Sequence, residues 1–233
     1  MMKFNQKALI FLGLTTILSG IGLGLFVSPS ESRSAQELPA STLHTAQDFF
    51  NRGLEKYNTG DYTGAIESYT KVLQIDPNYM EAYCNRGYIK TILGDLNGAI
   101  SDFNHALQID PKHTDAYNRL GNAHANLGQL TAALEDFDQA VRLDPKFADA
   151  YYNRGLTRFN LKDSQGAIAD YTQALKLNPN LAEAYGNRGL TRNVLGDKSG
   201  ALEDLQKAAQ LFLSQGNTEG YQYTQELIKE VEQ

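Results

Sequence analysis

The chain has 233 residues, 27 acidic against 21 basic, and a formal net charge of −6. That balance offers no basic patch for nucleic acid, and 23 Tyr and Phe within a 42% hydrophobic composition exclude disorder throughout. The single cysteine, Cys84, excludes an intramolecular disulfide and a multi-cysteine zinc site.

Lys3 and Lys7 precede an uncharged run from Ala8 to Val27. Twenty residues at about 1.5 Å rise each reach roughly the 30 Å of a bilayer's hydrocarbon core, so 1–27 is expected to be a signal-anchor helix. The lysines favour a cytoplasmic N-terminus, which places the remainder on the periplasmic or lumenal side. A cleaved signal peptide is the alternative. The run is longer than such signals need, however, and no Ala-x-Ala follows; Ser28-Pro29-Ser30 and Ser32-Arg33-Ser34 are the nearest triplets. Gly20 and Gly24 are read either as a helix-packing pair or as ordinary membrane-helix filler. Residues 28–45, with their Ser, Pro and Glu, are expected to be a flexible linker.

The rest is one pattern repeated every 34 residues. Asx-Pro recurs at Asp76-Pro77, Asp110-Pro111, Asp144-Pro145 and Asn178-Pro179. Columns of glycine (Gly53, Gly87, Gly121, Gly155, Gly189), alanine (Ala65, Ala99, Ala133, Ala167, Ala201) and aromatics (Phe49, Tyr83, Tyr117, Tyr151, Tyr185) keep the same interval. Phe49, Gly53 and Lys56 lie at helical spacing, as do Ala65, Tyr69 and Val72, so each period predicts two amphipathic helices. Gly60, Gly94, Gly128 and Gly196 suit left-handed caps on the first helices, with Lys162 in that place in the fourth period. The prolines end the second helices, and Thr45-x-x-Asp48 reads as a capping box. The small residues of the glycine and alanine columns imply helices in close approach.

These columns resemble the tetratricopeptide repeat (TPR) family. The resemblance implies an all-α, right-handed TPR solenoid whose first helices line a concave face. Five repeats are expected over 46–216 (46–79, 80–113, 114–147, 148–181 and 182–215), and a capping helix over 217–233, burying Tyr221, Leu227, Ile228 and Val231. The family's Leu before the column glycine is replaced by Arg52, Arg86, Arg154 and Arg188, and kept only as Leu120. The fifth unit lacks its proline, with Phe212-Leu213 there.

Positions just after each leading aromatic, and those further along the same face, are expected to point to the groove. Phe50, Leu54 and Tyr57 form one apolar patch and Tyr152, Leu156 and Phe159 another, with the polar Asn118, Asn122 and Ala125 between them. Tyr88 joins them in the second repeat. These rings either meet a ligand or merely shield helix contacts. An asparagine column (Asn51, Asn85, Asn153, Asn187, with Arg119 in the third repeat) is the sharper candidate, because a side-chain amide donates and accepts and so grips a peptide backbone of any sequence. The resemblance implies this role; the alternative is that each Asn bonds a neighbouring helix end. The family's clamp for a C-terminal carboxylate is not expected, since acids (Glu81, Asp115, Asp149, Glu183) line the helix starts.

Arg52, Arg86, Arg154 and Arg188 read as structural partners of Asp102, Asp136, Asp170 and Asp204, within a repeat or to its neighbour, rather than as an anion ladder; Ser68 breaks the pattern in the first. Cys84 reads as a small packing residue. No metal spacing, phosphate loop or catalytic motif stands out, so no cofactor and no catalytic residue are expected. The expected function is a non-enzymatic, membrane-tethered adaptor that binds a protein or extended peptide in its groove. A soluble exported chaperone-like protein and a self-associating scaffold, a homo-oligomer, are the alternatives.

Overall fold

The computed structural model describes residues 45–233. The expected signal-anchor and all of the linker but Thr45 lie outside the described residues. Among the described residues no helix is long and apolar enough to cross a membrane.

Eleven α-helices and no strand are found among the described residues: α1 (Ala46–Asn58), α2 (Tyr62–Ile75), α3 (Met80–Ile92), α4 (Leu96–Ile109), α5 (Thr114–Asn126), α6 (Leu130–Leu143), α7 (Ala148–Asn160), α8 (Ser164–Leu177), α9 (Ala182–Val194), α10 (Lys198–Ser214) and α11 (Thr218–Glu232). The odd-numbered helices from α1 to α9 begin 34 residues apart, in step with the sequence period. The chain divides into two compact units that part within α5, the described residues falling into 45–123 and 124–233.

The boundaries follow from cap chemistry. Thr45 and Asp48 exchange reciprocal bonds, Thr45 N–H to the carboxylate at 2.8 Å and Asp48 N–H to Oγ1 at 3.1 Å, which opens α1 with a capping box. Gly60, Gly94, Gly128 and Gly196 adopt positive φ in the turns after α1, α3, α5 and α9, and Lys162 bears the same left-handed strain at φ 68°. The Asp that follows caps the next helix: Asp61, Asp95, Asp163 and Asp197 each accept from the N–H three residues on, at 2.9 Å. Gln129 takes that place before α6, and its side chain makes no capping bond. The residue before each proline is extended at the end of α2, α4, α6 and α8, as proline demands.

Packing explains the small-residue columns. In the first unit the ring of Tyr69 lies across Gly53, where a Cβ would sit 2.6 Å from Cε1; in the second, Tyr171 crosses Gly155 with the corresponding gap at 2.8 Å. Any side chain there would drive the two helices of the hairpin apart. The alanine column is fully buried beside these rings. In α10, Phe212-Leu213 continue the helix where earlier periods have Asx-Pro, and Tyr221 and Tyr223 of α11 pack against the cluster of Ala182, Ala208 and Phe212. Leu227, Ile228 and Val231 close the apolar end of the second unit, and Tyr221 is half-buried there.

Candidate functional site

In the first unit, residues of three successive odd-numbered helices form one row. Tyr57 on α1 lies with its ring centroid 5.8 Å from Tyr62 and 6.0 Å from Tyr88 on α3. The Arg119 guanidinium on α5 sits over the Tyr88 ring, 4.6 Å from its centre. Arg119 is itself ion-paired to Asp115 one turn earlier, so the row carries little net positive charge. Burial, then a hydrogen bond with Tyr88, pushes the Tyr57 phenol up to about 12. Tyr57 and Tyr88 remain half-exposed.

The structure separates the other predicted residues of this unit from that row. Phe50, expected on the groove surface, is instead a core residue, 1% exposed, stacked 5.0 Å from Tyr79 and tilted against Tyr69. Asn51 is exposed and accepts from Gln47 on its own helix at 2.9 Å. Asn85 and Asn118 are buried, as is Arg119, while Asn122 is half-buried with its amide oxygen enclosed and unbonded. Cys84 is fully buried, its sulfur 3.6 Å from Met80 Sδ, and burial pushes its thiol up to about 12, which makes it a packing residue.

In the second unit Tyr152, Phe159 and Tyr171 gather around Leu156 and Ala167. Asn187 on α9 reaches back 35 residues and donates from Nδ2 to the Tyr152 hydroxyl at 3.0 Å. The asparagine therefore bonds a side group on the preceding odd-numbered helix; it does not cap a helix end. Asn153 is 8% exposed on α7.

The arginine column is structural. Arg86, Arg154 and Arg188 each grip the Asp sixteen residues on through two bonds of 2.6–2.9 Å, to Asp102, Asp170 and Asp204. Their third nitrogen reaches back sixteen residues, to Thr70 and Thr172 at 3.0 Å and to Asp138 at 2.7 Å. Each arginine thus ties its own hairpin to the previous one, so both alternatives read from sequence hold together. A second cation column, unnoticed in the sequence, completes the shell: Lys90, Arg158 and Arg192 contact the same carboxylates at 2.8–2.9 Å. Arg52, whose period carries Ser68 where the others carry Asp, lies 5.6 Å over the Phe49 ring. Among the described residues no group of His, Cys, Asp and Glu is arranged to hold a metal.

A family model described as tetratricopeptide repeat matches residues 118–181 and 158–217, and one described as TPR repeat matches 53–91 and 87–128. Among solved structures, one described as the crystal structure of MamA is 30% identical, superposes with a TM-score of 0.66, and aligns over 70% of this chain and 96% of its own. MamA from Desulfovibrio magneticus RS-1 is 24% identical with a TM-score of 0.68, covering 73% of this chain and 96% of its own. YrrB, described as a TPR protein with an unusual peptide-binding site, is 23% identical with a TM-score of 0.63, over 78% and 92%. Comparison with curated proteins finds no significant sequence match. The chain belongs to the tetratricopeptide repeat family.

Proposed function

We propose that this chain is a non-enzymatic adaptor of five repeats and a terminal helix that holds an extended segment of a protein partner along its first helices. The row of Tyr57, Tyr88 and Arg119 carries this reading. Half-exposed phenols in series offer area for side chains at low entropic cost, and the Arg119–Asp115 pair leaves no free charge to demand an anion. The buried amides of Asn85, Asn153 and Asn187 lie on these same first helices and can both donate and accept. The tether is part of the same proposal, resting on the uncharged run from Ala8 to Val27 behind Lys3 and Lys7. It sets the repeats outside the cytoplasm.

Photo-crosslinking in the native cell tests the surface. A benzophenone side chain placed at Tyr88 in the full-length protein should crosslink to a discrete partner, whereas one at exposed Gln108 should not. Equal yields from both positions would discard the row as the binding face. Self-association is a second reading, favoured by Val194, Leu195 and Leu213, each at least half exposed in the second unit. Sedimentation of the full-length protein over a range of concentrations separates it.

A further inference from the structure

Position 69 and its equivalents are Tyr69, Phe103, Phe137, Tyr171 and Leu205, all fully buried. Phe103 lies against Gly87 as Tyr69 lies against Gly53 and Tyr171 against Gly155, so the ring alone satisfies the packing. A hydroxyl added to such a ring stabilises nothing unless it finds a partner, and left alone in the core it destabilises. The Tyr171 hydroxyl is buried and makes no hydrogen bond. It is held in the phenol form, its pKa well above the usual value because of burial.

The neighbours of Tyr171 say what it faces. The Tyr152 ring lies 6.1 Å away and its hydroxyl receives the Asn187 amide N–H, which leaves Asn187 Oδ1 also buried and unbonded. Turning that amide over would only exchange which end is left unpaired. An unpaired phenol and an unpaired amide end therefore flank the same half-exposed ring.

We propose that Tyr171 and Asn187 form a polar niche that receives the backbone carbonyl and N–H of one residue of the bound segment, with Tyr152 as its movable cover. This rests on the partner-binding reading above. Two features select the ligand. In an extended strand the C=O and N–H of a single residue point to the same side, which matches one phenol donor and one amide acceptor. Glu183 also acts electrostatically on Tyr152, which disfavours an anionic group. The niche therefore recognises backbone and is indifferent to side-group identity.

The test uses the full-length protein in mild detergent, an array of random dodecapeptides as probe, and the variant Tyr171→Phe, which installs the residue that two other repeats already carry. The variant should melt at the same temperature as the parent or higher, yet bind the selected peptides about three- to tenfold more weakly, as the loss of one buried hydrogen bond requires. N-methylation scanned along a selected peptide removes the N–H offered to Asn187 Oδ1, so it should weaken binding at one residue in the parent and still weaken it there in Tyr171→Phe, whose lost bond is the one to the carbonyl. Unchanged affinity in Tyr171→Phe, or a lowered melting temperature that marks the hydroxyl as part of a structural water bridge, would overturn the niche while leaving the adaptor reading intact. Failure of the parent protein to bind any peptide would overturn both.

Discussion

His124 Nδ1 lies 2.6 Å from Asp136 Oδ2, and this single imidazole stands where two permanent cations stand in the neighbouring periods. Asp102, Asp170 and Asp204 each lie between an arginine and a second Lys or Arg. In the third period Leu120 removes the arginine from its column and His124 takes the other place. Burial then dominates, and the Asp136 carboxyl is raised to about 6, partly offset by His124 and reinforced by Glu135. Arg154 on α7 gives no relief, because it engages Asp138 instead.

A carboxyl whose folded pKa exceeds the unfolded value of about 3.9 contributes stability that is present below that value and lost as pH rises through the folded pKa. Asp136 therefore weakens the second unit as pH climbs from about 4 to 6. His124→Arg restores a permanent cation, and its advantage over the parent should grow across that window and level off above it, at roughly 1–3 kcal/mol. Denaturant titrations at about pH 4.5, 6 and 8, chosen to bracket that window, measure it; an advantage constant with pH would refute the assignment to Asp136.

Asp170 occupies the opposite case. Its carboxylate, 4% exposed, receives two bonds from Arg154 and one from Arg158. Asp170→Ala leaves two guanidinium groups half-buried beside a cavity, at a cost of about 3–5 kcal/mol. The same change at exposed Asp138, which takes only the third Arg154 nitrogen, should cost under about 1 kcal/mol. Comparable losses at the two sites in thermal melts would contradict the arginine-centred account.

Lys162 is the one non-glycine residue at positive φ among the described residues. Lys162→Gly relieves a left-handed side-chain strain of about 1 kcal/mol, offset in part by the greater freedom of glycine in the unfolded state. A gain of a few tenths to about 1 kcal/mol is expected. Lys162→Ala retains the strain and should show none. Calorimetry on the two variants decides it, a gain in both being the contrary result.

What sequence revealed and what it hid divide along a physical line. The period, caps and arginine–aspartate columns were legible because backbone geometry and charge pairing restrict residue type at fixed spacing, as Gly60 and Asp102 do. Phe50 was misplaced because one helical step separates a core position from a surface one, and the stack on Tyr79, a full hairpin further along, decides the matter. The Lys90, Arg158 and Arg192 column passed unnoticed because exposed-looking cations at helix ends carry no marker of the carboxylate they reach. The row of Tyr57, Tyr88 and Arg119 was present as separate candidates, and only packing assembled it. Nor does Tyr171, in a column shared with Phe103 and Phe137, announce that its hydroxyl is unpaired.

The tether is tested on the residues before Thr45. A run of twenty uncharged residues is worth retaining in a bilayer: at about 0.8 kcal/mol per buried methylene, its Leu, Ile and Phe side chains bind far beyond any reversible surface contact. The full-length protein should therefore stay with the membrane pellet after alkaline carbonate, a treatment that strips peripheral proteins held by charge. Replacing Ile17 and Leu18 by Arg puts two charges near the middle of the span, each costing about 2.5–3.5 kcal/mol for insertion, and should release the protein or block its export. Cleavage makes the opposite forecast, a product beginning between Ser28 and Gln36 that appears in the carbonate supernatant. N-terminal sequencing of the two fractions distinguishes them, and that shorter product as the main species would remove the anchor and leave an exported repeat domain.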